Sequence, residues 1–368
     1  MNVSSPVDLL GELIRIPSVN PEGDPGVPEP GEERLAGFLA DHLRSLGAEV
    51  ALREVLPGRP NVVARFPGNR SGKPRLLLAP HTDTVSVAGM TIDPFGGIVR
   101  DGKIWGRGAS DTKGPMAAML SALARCREIL PTLGHEIWFA GLMGEESGQH
   151  GAKALAAEEH FDFVIAGEPT GLRTVHAHKG SLWVTLKSRG KAVHASAPEL
   201  GENAIYAMTS AVERLRVGVI PKLDRLTHPL LGRTTLSVGT IRGGSKTNIV
   251  PDHCEATLDI RVVPGVEVAH VMELIREALG EVEMTWQGSE PLNTDPHHPL
   301  VATLSSLGAT PAGAPWFCDA AVFAAAGMPS VALGPGSIAQ AHTADEWISV
   351  TDLEEGAEFF ARFLRSLA

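Results

Sequence analysis

The stretch Leu76-Leu77-Leu78-Ala79-Pro80-His81-Thr82-Asp83 joins a short apolar run to polar side chains that can take part in chemistry. An apolar run of this length, closed by a proline, is typical of a strand buried on both faces of a sheet. The same order recurs where residues 137–143 lead into Gly144-Glu145-Glu146, and where residues 163–166 lead into Gly167-Glu168. Because ligands of open α/β sheets bind beyond the carboxyl ends of the strands, these polar residues are candidates for one site.

Strands and helices alternate along the flanking sequence, which favours an α/β fold. Apolar, β-prone runs predict strands at residues 50–55, 61–66, 75–78, 135–143 and 163–166. Apolar residues at helical spacing predict helices at residues 6–14, 32–46, 112–130 and 151–159. Short links between strands and helices indicate a mainly parallel sheet with helices on both faces.

The pattern changes after about residue 172, which indicates a second domain. Strands are predicted at residues 181–187, 234–240, 253–263 and 281–287, and helices at residues 203–217 and 266–279. This β-α-β-β-α-β order is the ferredoxin-like arrangement. A strand and helix pattern returns afterwards. We therefore predict an α/β domain over residues 1–173 and 288–368, interrupted by an inserted α+β domain over residues 174–287.

Composition and charge exclude several classes of protein. Lys plus Arg number 32 against 43 Asp plus Glu, and this net charge of −11 argues against a nucleic-acid or anionic-membrane surface. Apolar stretches such as Ala320 to Ala326 fall far short of the roughly 20 residues of a membrane-spanning helix. The N-terminus lacks the features of a secretory signal, and Cys126, Cys254 and Cys318 form no CxxC pair. We expect a cytoplasmic protein with reduced cysteines.

Each candidate for metal binding has an ordinary structural explanation when it is taken singly. Asp111 precedes a predicted helix and can serve as its N-cap. The pair Glu145-Glu146 is typical of a solvated helix end, and a glutamate before a proline, such as Glu168, is typical of a turn. His342 is compatible with a surface loop. No single position therefore predicts a metal site.

Taken together, these positions predict a metal site. Two imidazoles and three carboxylates near strand ends suit divalent zinc, and one carboxylate can bridge two ions ~3.5–4 Å apart. A sixth group, one of the paired glutamates, is then free to act as a base. In His81-Thr82-Asp83, the carboxylate two residues beyond the imidazole can hold its unligated N–H and fix the tautomer.

Several motifs carry a resemblance to known enzymes. They are Ile16-Pro17-Ser18, His81-Thr82-Asp83, Gly106-Arg107-Gly108-Ala109-Ser110-Asp111, Glu145-Glu146, Gly167-Glu168-Pro169-Thr170, Asn248-Ile249-Val250-Pro251-Asp252, Asp259-Ile260-Arg261-Val262-Val263-Pro264-Gly265 and Ala341-His342-Thr343-Ala344-Asp345-Glu346. In these motifs the chain resembles the di-zinc peptidase and deacylase family that includes acetylornithine deacetylase, succinyl-diaminopimelate desuccinylase, aminoacylase and carboxypeptidase G. The resemblance covers nearly the whole chain. It implies a zinc-hydrolase fold and an enzyme that cleaves an amide bond.

The resemblance also implies which residues hold two Zn²⁺ ions, with Co²⁺ or Mn²⁺ as substitutes. One zinc would be held by His81, Asp111 and Glu168. The other would be held by Asp111, Glu146 and His342, so Asp111 would bridge the two ions.

Further roles follow from the resemblance. Asp83 would orient His81, and Glu145 would be the general base and acid. The peptide bond between Asp111 and Thr112 is expected to be cis. The inserted domain would form a homodimer, through which His194 would reach the active site of the partner subunit.

Three residues of the inserted domain resemble substrate-binding positions. Arg261 and Asn248 match residues that grip a substrate carboxylate, for which the guanidinium fork of arginine is suited. Lys179, in Ala177-His178-Lys179-Gly180, resembles the acetylornithine deacetylase branch, because the desuccinylase branch tends to carry arginine there. Cys318 replaces the serine that is usual in such enzymes. The motifs therefore do not decide which acyl group or side chain the substrate pocket accepts.

The predicted reaction is hydrolysis of an N-acyl amino acid of the acetylornithine type. Three alternatives remain: a metallo-carboxypeptidase or dipeptidase acting on short peptides, a desuccinylase, and a non-catalytic metal-binding relative. A non-catalytic relative would lack Glu145 or a metal ligand, whereas this sequence has every such position filled.

Overall fold

The structure is a computed structural model that describes residues 5–22, 31–68, 72–280 and 282–368. These residues form two compact units. The first unit contains the described residues up to His176 together with Thr294–Ala312 and Cys318–Ala368. The second contains Ala177–Asn293 and Gly313–Phe317. The predicted boundaries, at 173/174 and 287/288, lie a few residues before these two divisions.

The strands and helices of the described residues are labelled in chain order. The strands are β1 (Glu49–Leu56), β2 (Arg59–Phe66), β3 (Arg75–Ala79), β4 (Ile98–Arg100), β5 (Lys103–Trp105), β6 (Glu136–Gly141), β7 (Phe163–Ala166), β8 (Thr174–His178), β9 (Gly180–Arg189), β10 (Thr227–His228), β11 (Gly232–Arg233), β12 (Thr235–Gly243), β13 (His253–Val262), β14 (Glu283–Ser289), β15 (Leu292–Asn293), β16 (Pro311–Ala314), β17 (Ser330–Ala332) and β18 (Trp347–Ser349). The helices are α1 (Pro6–Ile14), α2 (Glu32–Ser45), α3 (Lys113–Cys126), α4 (His150–Glu158), α5 (Ala204–Arg214), α6 (Ile220–Leu223), α7 (Val268–Leu279), α8 (Pro299–Ser306), α9 (Ala320–Ala325) and α10 (Val350–Arg365). Among these helices, none combines the length and the hydropathy needed to cross a bilayer.

The first unit is built on a mixed sheet. Its strand order is β1-β2-β6-β3-β7-β17, and the first residues of β8 follow β17. The pairs β6–β3, β3–β7 and β7–β17 are parallel, whereas β1–β2, β2–β6 and β17–β8 are antiparallel. The prediction of a mainly parallel sheet is therefore wrong for its flanks. The physical reason for β1 and β2 is the two-residue link Pro57-Gly58, since so short a turn joins only antiparallel neighbours.

Helix α3 is buried in the core of the first unit. It packs against α10 and α1, and its side chains from Met116 to Leu123 are buried around most of its circumference. Such a helix needs apolar residues on all sides, which Ala and Met supply here. The helix ends at Cys126, earlier than the predicted residue 130, and a 3₁₀ turn follows at Leu130–Thr132. Pro131 disfavours a continuing α-helix at the residue before it.

The second unit is a four-stranded antiparallel sheet with helices. The strand order is β12-β13-β9-β14, and α5 and α7 pack on the same apolar cluster. Alternate residues of β13 are buried, which is the period of a sheet with one covered face. The elements follow one another in the predicted β-α-β-β-α-β order.

Candidate metal centre

Three site residues follow the carboxyl ends of neighbouring strands. His81 follows β3, Glu145 follows β6 and Glu168 follows β7, and these strands lie side by side in the order β6-β3-β7. His81 continues the parallel pairing beyond β3 by forming a bridge with Leu142. The expectation that these polar residues meet at one sheet edge is confirmed.

Two further residues reach the same edge from loops. Asp111 lies two residues before the start of α3, and the peptide bond between Asp111 and Thr112 is cis, as predicted. His342 lies between a 3₁₀ turn and β18, and its φ of 60° is in the left-handed region. That region is uncommon for residues other than glycine, although histidine is among those that enter it.

The imidazoles and carboxylates form two groups that share Asp111. His81, Asp111 and Glu168 form one group, and Asp111, Glu146 and His342 form the other; within each group the ligand atoms lie within 4.8 Å of one another. Asp111 Oδ1 lies 3.1 Å from His81 Nε2, and its Oδ2 lies 3.3 Å from His342 Nε2. The two oxygens of one carboxylate therefore face two different groups, which is the arrangement of a bridging ligand.

The residues fit a metal by their donors and by their burial. The ring nitrogens and carboxylate oxygens are the ligand types that zinc takes. Glu146 Oε1 is buried and has no hydrogen-bond partner among the described residues, although His342 Nε2 lies 3.2 Å from the other oxygen. A buried carboxylate oxygen without a partner is costly unless a cation or donor satisfies it.

The carboxylates at this edge are crowded. Burial raises the pKa of Glu145 and Glu168 well above the usual range, and it raises that of Glu146. For Glu146 and Glu168 the negative charge of Asp111 adds to this effect. A divalent cation relieves this crowding because it stabilises the ionised carboxylates.

The carboxylates around the two imidazoles raise the pKa of both rings. Hydrogen bonds with Asp111 and Glu146 raise the pKa of His342 to about 10. Burial would lower the pKa of His81, but bonds with Asp111 and Asp83 outweigh it and keep that pKa well above the usual range. For Asp111, burial acts to raise the pKa, and hydrogen bonds with the two histidines lower it below the usual range. The cluster therefore attracts positive charge.

Asp83 contacts the His81 imidazole and also holds the backbone of a neighbouring turn. Its carboxylate Oδ1 lies 3.4 Å from His81 Nδ1, whereas its backbone carbonyl oxygen lies only 2.9 Å away. The carboxylate accepts the backbone N–H groups of Glu145 and Glu146, each at 3.0 Å, and the side-chain amide of Asn20 at 2.8 Å. Asp83 therefore positions the Glu145-Glu146 turn, and its carbonyl makes the closer contact to the imidazole.

Two predicted residues of the second unit lie on paired segments. A bridge joins His194 to Ile249, and the backbone carbonyl of Asn248 accepts the N–H of Ala195 at 3.0 Å. His194 is exposed, and its Nδ1 lies 2.8 Å from Ser196 Oγ. The structure thus brings the His194 and Asn248 segments together.

The other two predicted residues of this unit are already engaged. Arg261 donates from Nε and Nη2 to the Asp259 carboxylate at 2.8 and 2.9 Å, and its guanidinium lies 5.4 Å from the Phe317 ring centre. Lys179 Nζ donates to the backbone carbonyl of Arg233 at 2.6 Å. Burial and the nearby charges of Arg233 and Arg261 lower the pKa of Lys179.

Sequence reasoning missed two buried carboxylates of the first unit. Asp319 is almost fully buried, and its pKa is raised to about 7 by burial. Glu346, also fully buried, accepts hydrogen bonds from the loop that carries Asp111. Glu346 lies within a quoted motif, but carboxylates are usually exposed, so the sequence carries no sign of its burial.

Comparisons with known proteins show the family of the chain. Residues 77–366 match the family model described as "Peptidase family M20/M25/M40". Acetylornithine deacetylase from Proteus mirabilis is 32% identical over 387 residues, covering 100% of this chain and 98% of that protein. The Edwardsiella ictaluri acetylornithine deacetylase is 33% identical over 368 residues, covering 95% and 94%. A metallo-carboxypeptidase of the M20 family from Sulfolobus solfataricus has a TM-score of 0.82 at 21% identity, covering 98% and 99%, which supports the fold.

Proposed function

The chain belongs to peptidase family M20/M25/M40, and we propose that it hydrolyses N-acyl amino acids with two zinc ions, for which Asp111 would be a shared ligand. It is a metal-dependent hydrolase acting on N-acyl amino acids. The single observation that carries the proposed reaction is the pair of ligand groups sharing Asp111, in a chain about a third identical over its length to acetylornithine deacetylases.

We propose that His81 and Glu168 complete one zinc site with Asp111, and that Glu146 and His342 complete the other. Zinc ions held by these residues would activate a water at neutral pH and polarise the scissile carbonyl. The proposal of two ions rests on the two oxygens of one carboxylate, since Oδ1 of Asp111 lies near the His81 imidazole and Oδ2 near the His342 imidazole.

Glu145 is proposed as the general base and acid. It is buried beside the ligands but belongs to neither ligand group, so its carboxylate remains available for proton transfer. Glu145 would take a proton from the attacking water and deliver it to the departing amine. Asp83 positions Glu145 by accepting its backbone N–H.

Arg261 is proposed to bind the α-carboxylate of the substrate, with Asn248 and Lys179 as further contacts. Because Asp259 occupies the Nε edge of the fork, the remaining Nη1 side is the one free to bind a substrate carboxylate. The test compares KM for an N-acyl amino acid with KM for its amide. We expect the preference for the acid to fall at least about tenfold in Arg261→Lys, because lysine lacks the bidentate fork; an undiminished preference would remove Arg261 from this role.

We further propose that the second unit is the inserted domain and that it dimerises. Strand β12 is at an edge of its sheet, and Val238 and Ile241 on that strand are exposed. Helix α5 of the same unit presents Tyr206 with 72% of its surface exposed. An exposed edge strand with apolar side chains is a template for pairing with another chain, and a second copy of this chain is the proposed partner. Through this dimer His194 would act in the partner's active site. The cytoplasmic location of the protein stays a prediction.

The proposed reaction is tested by measuring amine release from a panel of substrates. Zinc-loaded protein is given N-acetyl amino acids, N-succinyl amino acids and dipeptides under identical conditions. Turnover of the N-acetyl compounds is the expected result. Preferential turnover of dipeptides would favour the peptidase alternative, and preferential turnover of succinyl compounds would favour a desuccinylase. No release from any substrate by protein with bound zinc would contradict the proposal.

A further inference from the structure

The buried side chain of Glu346 holds a single loop by four hydrogen bonds. Oε2 accepts from Arg107 Nη1 at 2.8 Å and from the Gly108 N–H at 3.0 Å. Oε1 accepts from the N–H groups of Ser110 at 2.8 Å and Asp111 at 2.9 Å. Both oxygens of the carboxylate are thus engaged by the segment that ends in Asp111.

The same contact links the segments of Asp111 and His342. Glu346 is four residues beyond His342, and its backbone carbonyl accepts the Gly106 N–H at 3.0 Å. The Ser110 hydroxyl also donates to the backbone carbonyl of Ser337, on the other side of His342, at 3.1 Å. Hydrogen bonds on both sides of His342 therefore join the loop before α3 to the loop before β18.

We propose that Glu346 is a positioning residue that fixes Asp111 relative to His342 and thereby builds the second ion site of Asp111, Glu146 and His342. This inference rests on the proposed function, because it concerns the metal sites proposed there. Glu346 does not belong to either ligand group and acts through the backbone of Asp111.

A carboxylate is required at this position because every group facing it is a donor. An ionised carboxylate can accept all four hydrogen bonds, and charge-assisted bonds are the stronger kind. The amide of Gln places an NH₂ group against two of the donors in either orientation, so at least two bonds are lost. It also leaves the guanidinium of Arg107, only 3% exposed, without its carboxylate.

The test is stepwise zinc binding to wild type and Glu346→Gln, followed by competition with a chromophoric chelator. We expect wild type to bind two ions, and Glu346→Gln to bind one ion normally while its affinity for the other falls at least about tenfold. In a Co²⁺ titration of the same variant, the absorption change between the first and the second equivalent should differ from that of wild type. Glu355→Gln, on the exposed face of α10, is the matched control and should behave as wild type.

Each outcome decides the inference. A merely structural role would lower the melting temperature and leave the affinities of the two binding steps unchanged in the folded protein, which would overturn it. If Glu346→Gln does not fold, Glu346→Asp decides: it retains the charge but is one methylene shorter, and unchanged binding of both ions would overturn the inference. Wild type that binds fewer than two ions would instead overturn the proposed function, and this inference with it.

Discussion

The carboxylate of Asp83 accepts the backbone N–H of Glu145 at 3.0 Å. Because the adjacent N–H of Glu146 binds the same carboxylate, one side chain fixes both the proposed base and a proposed ligand. In Asp83→Asn the amide group would face one of these donors, so we expect kcat to fall about 10- to 100-fold. Steady-state kinetics at full zinc occupancy measures the loss. Asp41→Asn, at an exposed site on α2, should leave kcat unchanged.

The ligand set predicts how many zinc ions each of three variants loses. Asp111 belongs to both ligand groups, so Asp111→Asn should lose both ions. Glu168→Ala and His342→Ala should each lose one, because each residue belongs to a single group. Atomic emission after dialysis gives the zinc content, with Asp101→Asn at an exposed turn as the control. Full zinc content in Asp111→Asn would disprove bridging by this residue.

Mixing two inactive variants tests whether His194 acts across a dimer. In a heterodimer of Glu145→Gln and His194→Ala subunits, one site would combine an intact Glu145 with an intact His194 of the other subunit. If His194 acts on the partner subunit's site, random reassociation should restore about a quarter of the wild-type activity per subunit, since half of the dimers are mixed. If His194 acts within its own subunit, or if sedimentation shows a monomer, mixing restores nothing.

His42 makes the folded chain sensitive to acid. Burial lowers the pKa of this half-buried histidine, and the opposing charge of Glu12 is the smaller effect. The unfolded chain therefore binds a proton more readily than the folded one, and the free energy of unfolding falls as pH drops below about 6.5. In His42→Phe, which can retain the stacking on Phe38, stability should fall less with acidification. Urea denaturation above and below that pH measures the difference, with the exposed His160→Gln as reference.

The site was more predictable from the sequence than the sheet around it. Ligand residues follow short apolar strands, so the meeting of His81, Glu145 and Glu168 is implied by the topology of a parallel sheet. The antiparallel flank was missed because the apolar runs of β1 and β2 look the same in either direction. Only the turn between them, Pro57-Gly58, decides the pairing.

The supporting contacts could not be predicted in the same way. The sequence motif predicts that Asp83 holds the His81 imidazole, but it gives no sign that the same carboxylate also binds the backbone of a turn more than sixty residues away in the chain. The partners of Glu346 are likewise backbone groups, and residue identity carries no information about them. Buried charges that satisfy backbone donors emerge only from three-dimensional packing.

The most direct test of the central claim is the turnover of an N-acetyl amino acid by Glu145→Gln, with the zinc content of the same sample measured in parallel. The account predicts that two zinc ions remain bound, because Glu145 is in neither ligand group, and that kcat falls at least about a hundredfold with loss of the general base. Turnover close to that of wild type in the zinc-loaded variant would contradict the account.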